Sequence, residues 1–292
     1  MRLAYIAFIT VCVIWGTTYL AIAVALETVP VLLVAGLRWM FAGVVMSALI
    51  LATGRGLPGP RLWGPLALLG FLMNVLGNGL VVYAQQYVAS GLTAVLIATT
   101  PFWNALAERL LPDGERFSNR ALFGLSLGFT GIVVLVWPEM TTGGAEGRGF
   151  IGGVIAIQLA CVGWVVGTSY AKRHELGDNP FRSTALQMVF SGAMLLAAAT
   201  WHGDWQQLSF TPRTMAAMLY LSIAGSLVAY SAYIYAIQHL RLSLVSLYAY
   251  INPMIAVTLG TLLLAEPFTP RIAVAAALVL AGTWIVGKNK NI

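Results

Sequence analysis

Arg38 lies seven or eight residues into an apolar stretch at about 31–52 and is followed by Trp39. A cation in such surroundings snorkels, pairs with a backbone carbonyl, or offers its charge to the carboxylate of a molecule passing through. Asn74 and Asn78 form an i, i+4 pair that shares a helical face with Gln85. They read either as a cavity lining or as part of a small-residue seam with Gly70, Gly77 and Gly79. Pro101 and Pro253 each remove one helical hydrogen bond and free the carbonyl four residues back, at Ile97 and Ala249. Thr99, Thr100, Trp103 and Asn104 surround the first proline, and Tyr248, Tyr250 and Asn252 the second. Trp15, Trp164, Tyr19 and Tyr170 could add aromatic walls, although core packing explains each of them equally well.

The absences narrow the chemistry. No Asp or Glu stands deep in an apolar stretch; Glu108, Glu115 and Glu266 fall near helix ends, and Glu115 and Glu266, at the same place in the two copies, read as caps or partners of Arg116, Arg120 or Arg271. A pump-like proton relay therefore has no obvious carboxylate. No phosphate-binding glycine loop, paired-histidine metal motif or serine elbow is present, so no cofactor, metal or enzymatic nucleophile is implied. His174, His202 and His239 fall in loops or at helix ends.

The elements that must position these residues follow from composition. The chain is 59% hydrophobic and 9% charged. So few charges could not solvate 292 residues in water, so lipid is the solvent. Charge-poor runs fall at about 3–23, 31–52, 63–84, 91–111, 120–137, 150–171, 182–201, 214–236, 242–265 and 271–287, each near the length that crosses a bilayer as a helix. Barrel strands would be shorter and strictly alternating. The fold class is an all-α membrane protein of ten transmembrane helices.

With the N-terminus inside, Arg2, Arg55, Arg61, Arg109, Arg116, Arg120, Lys172, Arg173, Arg182, Arg241, Lys288 and Lys290 lie on the inner side. Only Arg148, Arg213 and Arg271 lie outside. That asymmetry places both termini in the cytoplasm and attributes the +6 net charge to topology and anionic headgroups, with no nucleic acid needed to explain it. The first run exceeds a signal-peptide core and reads as a span. Trp201 and Trp205 read as an interfacial aromatic belt, and Cys12 and Cys161 as small packing residues.

The spans repeat. Cys12-Val13-Ile14-Trp15 recurs as Cys161-Val162-Gly163-Trp164, and Gly16-Thr17-Thr18-Tyr19 as Gly167-Thr168-Ser169-Tyr170. Tyr83, Gln86, Leu92 and Pro101 return at one constant spacing as Tyr235, Gln238, Leu244 and Pro253. Glu115, Phe117, Arg120 and Gly131 return as Glu266, Phe268, Arg271 and Gly282. Residues 1–137 form the first five-helix repeat, 138–148 an outer linker of turn chemistry, and 149–292 the second repeat. An odd number of spans per copy inverts the second copy, an architecture typical of transporters, with the binding site at the midplane. The candidate binding residues are Arg38, Trp39, Asn74, Asn78, Tyr83, Thr99, Trp103, Trp164, Gln187, Tyr230, Tyr248 and Asn252, with Pro101 and Pro253 as helix breaks for gating.

Several of these residues carry a resemblance: Trp15-Gly16, Leu37-Arg38-Trp39, Pro101, Gly114-Glu115-Arg116-Phe117, Asn252-Pro253 and Ala265-Glu266-Pro267-Phe268. In them the chain resembles the drug/metabolite transporter superfamily, EamA-like branch, and more narrowly its bacterial aromatic amino-acid exporters. The second copy departs from the pattern at Gln187 and Pro267. The resemblance implies export of amino acids, aromatic and broadly specific, from the inner membrane through a central cavity by alternating access. Efflux of lipophilic drugs or cations, or of other small metabolites, is the alternative; the missing buried carboxylate counts against the cations. The partners implied are a small-molecule substrate and the bilayer; nothing in the sequence fixes an oligomeric state, and a monomer suffices for the repeat.

Overall fold

The computed structural model describes residues 2–110, 119–142, 145–174, 176–240, 242–245 and 247–288. These fold into ten helical spans. The first, second, fifth, sixth, seventh and tenth are Arg2–Ala25, Val31–Ala52, Asn119–Thr142, Ala145–Arg173, Pro180–His202 and Pro270–Lys288. The third, Pro60–Ala84, and the eighth, Pro212–His239, are composite. The fourth is split into Ser90–Ile97 and Thr100–Arg109, and the ninth into Leu242–Val245 and Tyr248–Leu263. Seven spans are long and apolar enough to cross a membrane as single helices.

Local chemistry sets the helix ends. Asn179 caps the seventh span by accepting from the Phe181 and Arg182 amides, and Pro180 takes the first helical position, where its missing N–H costs nothing. Gly203, at φ 82°, ends that span in the left-handed conformation. A Thr211–Thr214 capping box with Pro212 starts the eighth. The repeat junction is more helical than its glycines suggest. The fifth span continues through Pro138 to Thr142, and the sixth begins at Ala145 with Glu146 in its first turn, where a carboxylate suits the helix dipole. A proline in the last turns removes one bond without ending the helix.

The third and eighth spans each contain a π-helical stretch, Phe71–Gly79 and Leu221–Val228, at corresponding places in the two copies. The packing also follows the repeat. The second span lies against the seventh, and the fifth against the tenth. The first packs on the eighth and ninth, while the sixth packs on the third and fourth. The two copies therefore interlock rather than stand side by side. Glycine permits the closest crossings: a β-carbon at Gly192 would sit 2.6 Å from the Met40 backbone nitrogen. Outward, the first span exposes Leu3, Ile6, Ile9 and Val13 while burying Ala4, Ala7 and Val11. An apolar band of this kind is stable only against lipid.

Candidate substrate site

Arg38, on the second span, is 3% exposed and lies against Gly225 and Ser226 of the eighth. Its Nε donates to Ser226 Oγ at 2.9 Å. The guanidinium carbon lies 4.8 Å from the centroid of the Trp39 ring, a cation–π contact. Neither Arg38 Nη1 nor the Trp39 indole nitrogen has a hydrogen-bond partner among the described residues. Both groups are pure donors. The ion pairs among those residues are Arg182–Asp178, His202–Asp204 and Arg213–Glu27, so Arg38 carries a buried charge with no protein counter-ion among them.

The π stretches bring the next groups to this place. An added residue per turn re-aims the side chains of a helix, and such stretches recur at functional sites. Asn74, on the first π stretch, donates to Ser191 Oγ at 2.9 Å. Gln187, the repeat counterpart of Arg38, donates to Asn74 Oδ1 at 3.4 Å and to the Tyr230 hydroxyl at 3.5 Å. The second π stretch supplies Ser226 to Arg38, and its Gly225 carbonyl accepts from the Trp15 indole at 3.3 Å. Two copies of one helix irregularity thus serve two different chemistries: charged on one side, carboxamide on the other.

Aromatic rings close the arrangement. Trp15 meets Tyr233 at 5.1 Å, Tyr248 at 5.2 Å, Tyr230 at 6.2 Å and Trp164 at 6.3 Å between centroids. Trp39 packs edge-on to Tyr230 at 6.0 Å. Asn252 is buried nearby, and its carboxamide is satisfied only with the nitrogen turned to donate to the Cys12 and Tyr248 carbonyls, 3.0 Å away. The structure therefore brings together Arg38, Trp39, Asn74, Trp164, Gln187, Tyr230, Tyr248 and Asn252. Two lateral cavities share no residue with this group.

Four other candidates lie elsewhere. Asn78 is half-buried and does not join the hydrogen-bonded group. Tyr83 is 41% exposed and contacts Tyr87 instead. Thr99 and Trp103 both donate to Gln158 Oε1, at 3.0 and 2.9 Å, beside a lateral cavity of about 410 Å³ lined by Trp103, Ile132, Val136 and Gln158. Pro101 follows a real interruption at 98–99. There the Ile97 carbonyl accepts from the Thr100 hydroxyl and the Ala98 carbonyl from that of Thr283, so the opened backbone is repaired within the protein. Pro253 does not break its helix; Tyr248–Leu263 runs through it, and the turn in this span falls at Leu247, before that helix begins. One proline near the start of a helix can be absorbed by a shift in the preceding turn, so matching prolines need not make matching breaks.

Glu266 accepts from the Ser90 and Gly91 amides at 2.7 and 3.0 Å, capping the fourth span from the loop before the tenth. Its repeat partner Glu115 lies outside the described residues. Tyr233 and Ser191 are site residues that the sequence alone did not single out, and Gln158 is the partner it did not foresee for Thr99 and Trp103. Tyr233 stands three residues after Tyr230, and Ser191 four after Gln187, so helical spacing carried the signal for both.

Residues 2–137 and 151–288 each match the EamA-like transporter family. The inner membrane transporter YedA of Escherichia coli is 33% identical over 258 residues, covering 87% of this chain and 81% of YedA. Protein PagO of Salmonella typhimurium is 27% identical over 258 residues, covering 87% and 83%. The transporter YvbV of Bacillus subtilis is 24% identical over 280 residues, covering 96% and 90%. One solved crystal structure superposes with a TM-score of 0.63 at 20% identity, covering 97% of this chain and 95% of the other; it speaks to the fold alone.

Proposed function

Since the chain belongs to the EamA-like transporter family, and is thus a membrane transporter of small molecules rather than an enzyme, we propose that it exports amino acids, aromatic ones among them, across a bacterial inner membrane. Its named relatives include an inner membrane transporter, which supports the location. The excess of basic residues on one side supports cytoplasmic termini.

The observation that carries the substrate reading is Arg38. A buried guanidinium with an open Nη1, on a chain neighbour of an indole with an open N–H, offers unpaired donors to a carboxylate. The Trp15–Tyr230–Tyr233–Tyr248 cluster offers a side chain aromatic faces and edges at the distances ring pairs prefer. The Asn74–Gln187–Tyr230 group offers the polar end that would orient an α-amino group or a ring substituent. In the described conformation these groups contact one another, so a substrate enters by displacing protein–protein contacts. Alternating access follows if each half opens one mouth in turn, with the substrate exchanging for these contacts at the centre. Lipophilic cations have no carboxylate here to meet them, and Arg38 repels them.

Ligand protection against thermal unfolding tests this directly. Aromatic amino acids should raise the melting temperature of the purified protein, and their decarboxylated amines should not. Equal protection by amines, or protection by lipophilic cations alone, would reject the amino-acid reading.

A further inference from the structure

A second cavity, of about 510 Å³, opens between the ends of the second and seventh spans and the flank of the eighth, and shares none of its lining with the Arg38 cluster. One end is polar: Arg55, Arg182, Thr53 and Asn179. The other is aliphatic, with Met46, Leu49, Leu227 and Val228. Leu49 and Val228 are among the exposed side chains, so this end faces the hydrocarbon.

The polar end stands at headgroup depth. Arg55 follows the second span by three residues, and Arg182 lies in the first turn of the seventh. Arg182 Nη1 binds the Asp178 carboxylate, 2.9 Å from each oxygen, while its Nε is buried without a partner among the described residues. Arg55 is exposed and makes no ion pair among them. Two cations against one acid leave a net positive charge, and the adjoining wall is hydrocarbon-like. A free anion would use only half of this surface. Basic pockets between transmembrane helices on the cytoplasmic side suit anionic headgroups.

We propose that this cavity seats one anionic glycerophospholipid of the inner leaflet. Its phosphodiester sits between Arg55 and Arg182, and an acyl chain runs along Met46, Leu49, Leu227 and Val228. Because the site borders both the second–seventh seam and the eighth span, the lipid bridges elements of the two copies.

Native mass spectrometry of the full chain decides it, with phosphatidylglycerol and phosphatidylcholine of matched chains and glycerol 3-phosphate as probes. Phosphatidylglycerol should be retained at least about five-fold over phosphatidylcholine, and Arg55→Gln should lower that retention about five-fold, the scale of one basic side chain at an anionic surface. Glycerol 3-phosphate should not compete. Equal retention of the two lipids, or an unchanged Arg55→Gln variant, would overturn the proposal; effective competition by glycerol 3-phosphate would make this a free-phosphate site instead. Arg182→Gln could loosen the start of the seventh span through Asp178, so Arg55→Gln is the deciding variant.

Discussion

Arg38 is costly where it stands. A buried charge with no counter-ion lowers stability by several kcal/mol relative to an apolar side chain of like volume, and a fold keeps such a residue when it is used. Stability and transport should therefore separate at this position. Arg38→Met is expected to melt no lower than the wild type while losing at least about ten-fold in transport rate, the loss that removing a charge-assisted hydrogen bond entails. Circular dichroism melting and proteoliposome uptake, measured on the same preparation, check both halves; a lower melting temperature with intact uptake would make Arg38 structural. Arg148→Ala, at an exposed position of the sixth span, should leave uptake within about two-fold. Arg38 was visible in the sequence because a lone cation in an apolar run has few explanations. The Ser226 partner carries no such signal, since which helix face meets Arg38 is settled by packing.

At the level of elements, the spans and their ends were legible while their irregularities were not. Asn179-Pro180, Gly203 and Thr211-Pro212 fix helix ends through chemistry that acts within three residues, a few residues outside the apolar runs at 182–201 and 214–236. The π stretches carry no such local signature, because one inserted residue changes hydrogen-bond register without changing composition. For the same reason Pro253 looked like a break, and the turn in its span lies several residues earlier. The Glu266 cap ties the second copy to the first at the start of the fourth span, through charge-assisted bonds to two backbone amides. Glu266→Ala should lower thermal stability by about 2 kcal/mol. Thermal unfolding in detergent checks it; no change would mean that solvent caps Ser90 and Gly91 equally well. At the second–seventh crossing, Gly192→Leu should cost about 1–3 kcal/mol by forcing the two backbones apart. A melting temperature equal to the wild type would show that the seam yields freely.

For the whole molecule, the interlocked repeat sets what transport can do. Each half contributes helices to the other's packing, so opening one mouth must disturb contacts at the other. Coupling is then a matter of what binds at the centre, and among the described residues no Asp or Glu is buried within a span to carry a proton. Transport should run down the substrate gradient, and a pH gradient imposed across vesicles without a substrate gradient should drive no accumulation. Robust uphill uptake under a pH gradient alone would contradict this. The most direct measurement of the central claim is uptake of radiolabelled aromatic amino acids by proteoliposomes, with Arg38→Met beside the wild type. Wild-type uptake should saturate and be blocked by excess unlabelled amino acid, not by the matching amine, and Arg38→Met should fall to near the level of empty vesicles. No uptake above empty vesicles for aromatic, aliphatic or polar amino acids, or equal uptake by the variant, would contradict a carboxylate-binding exporter.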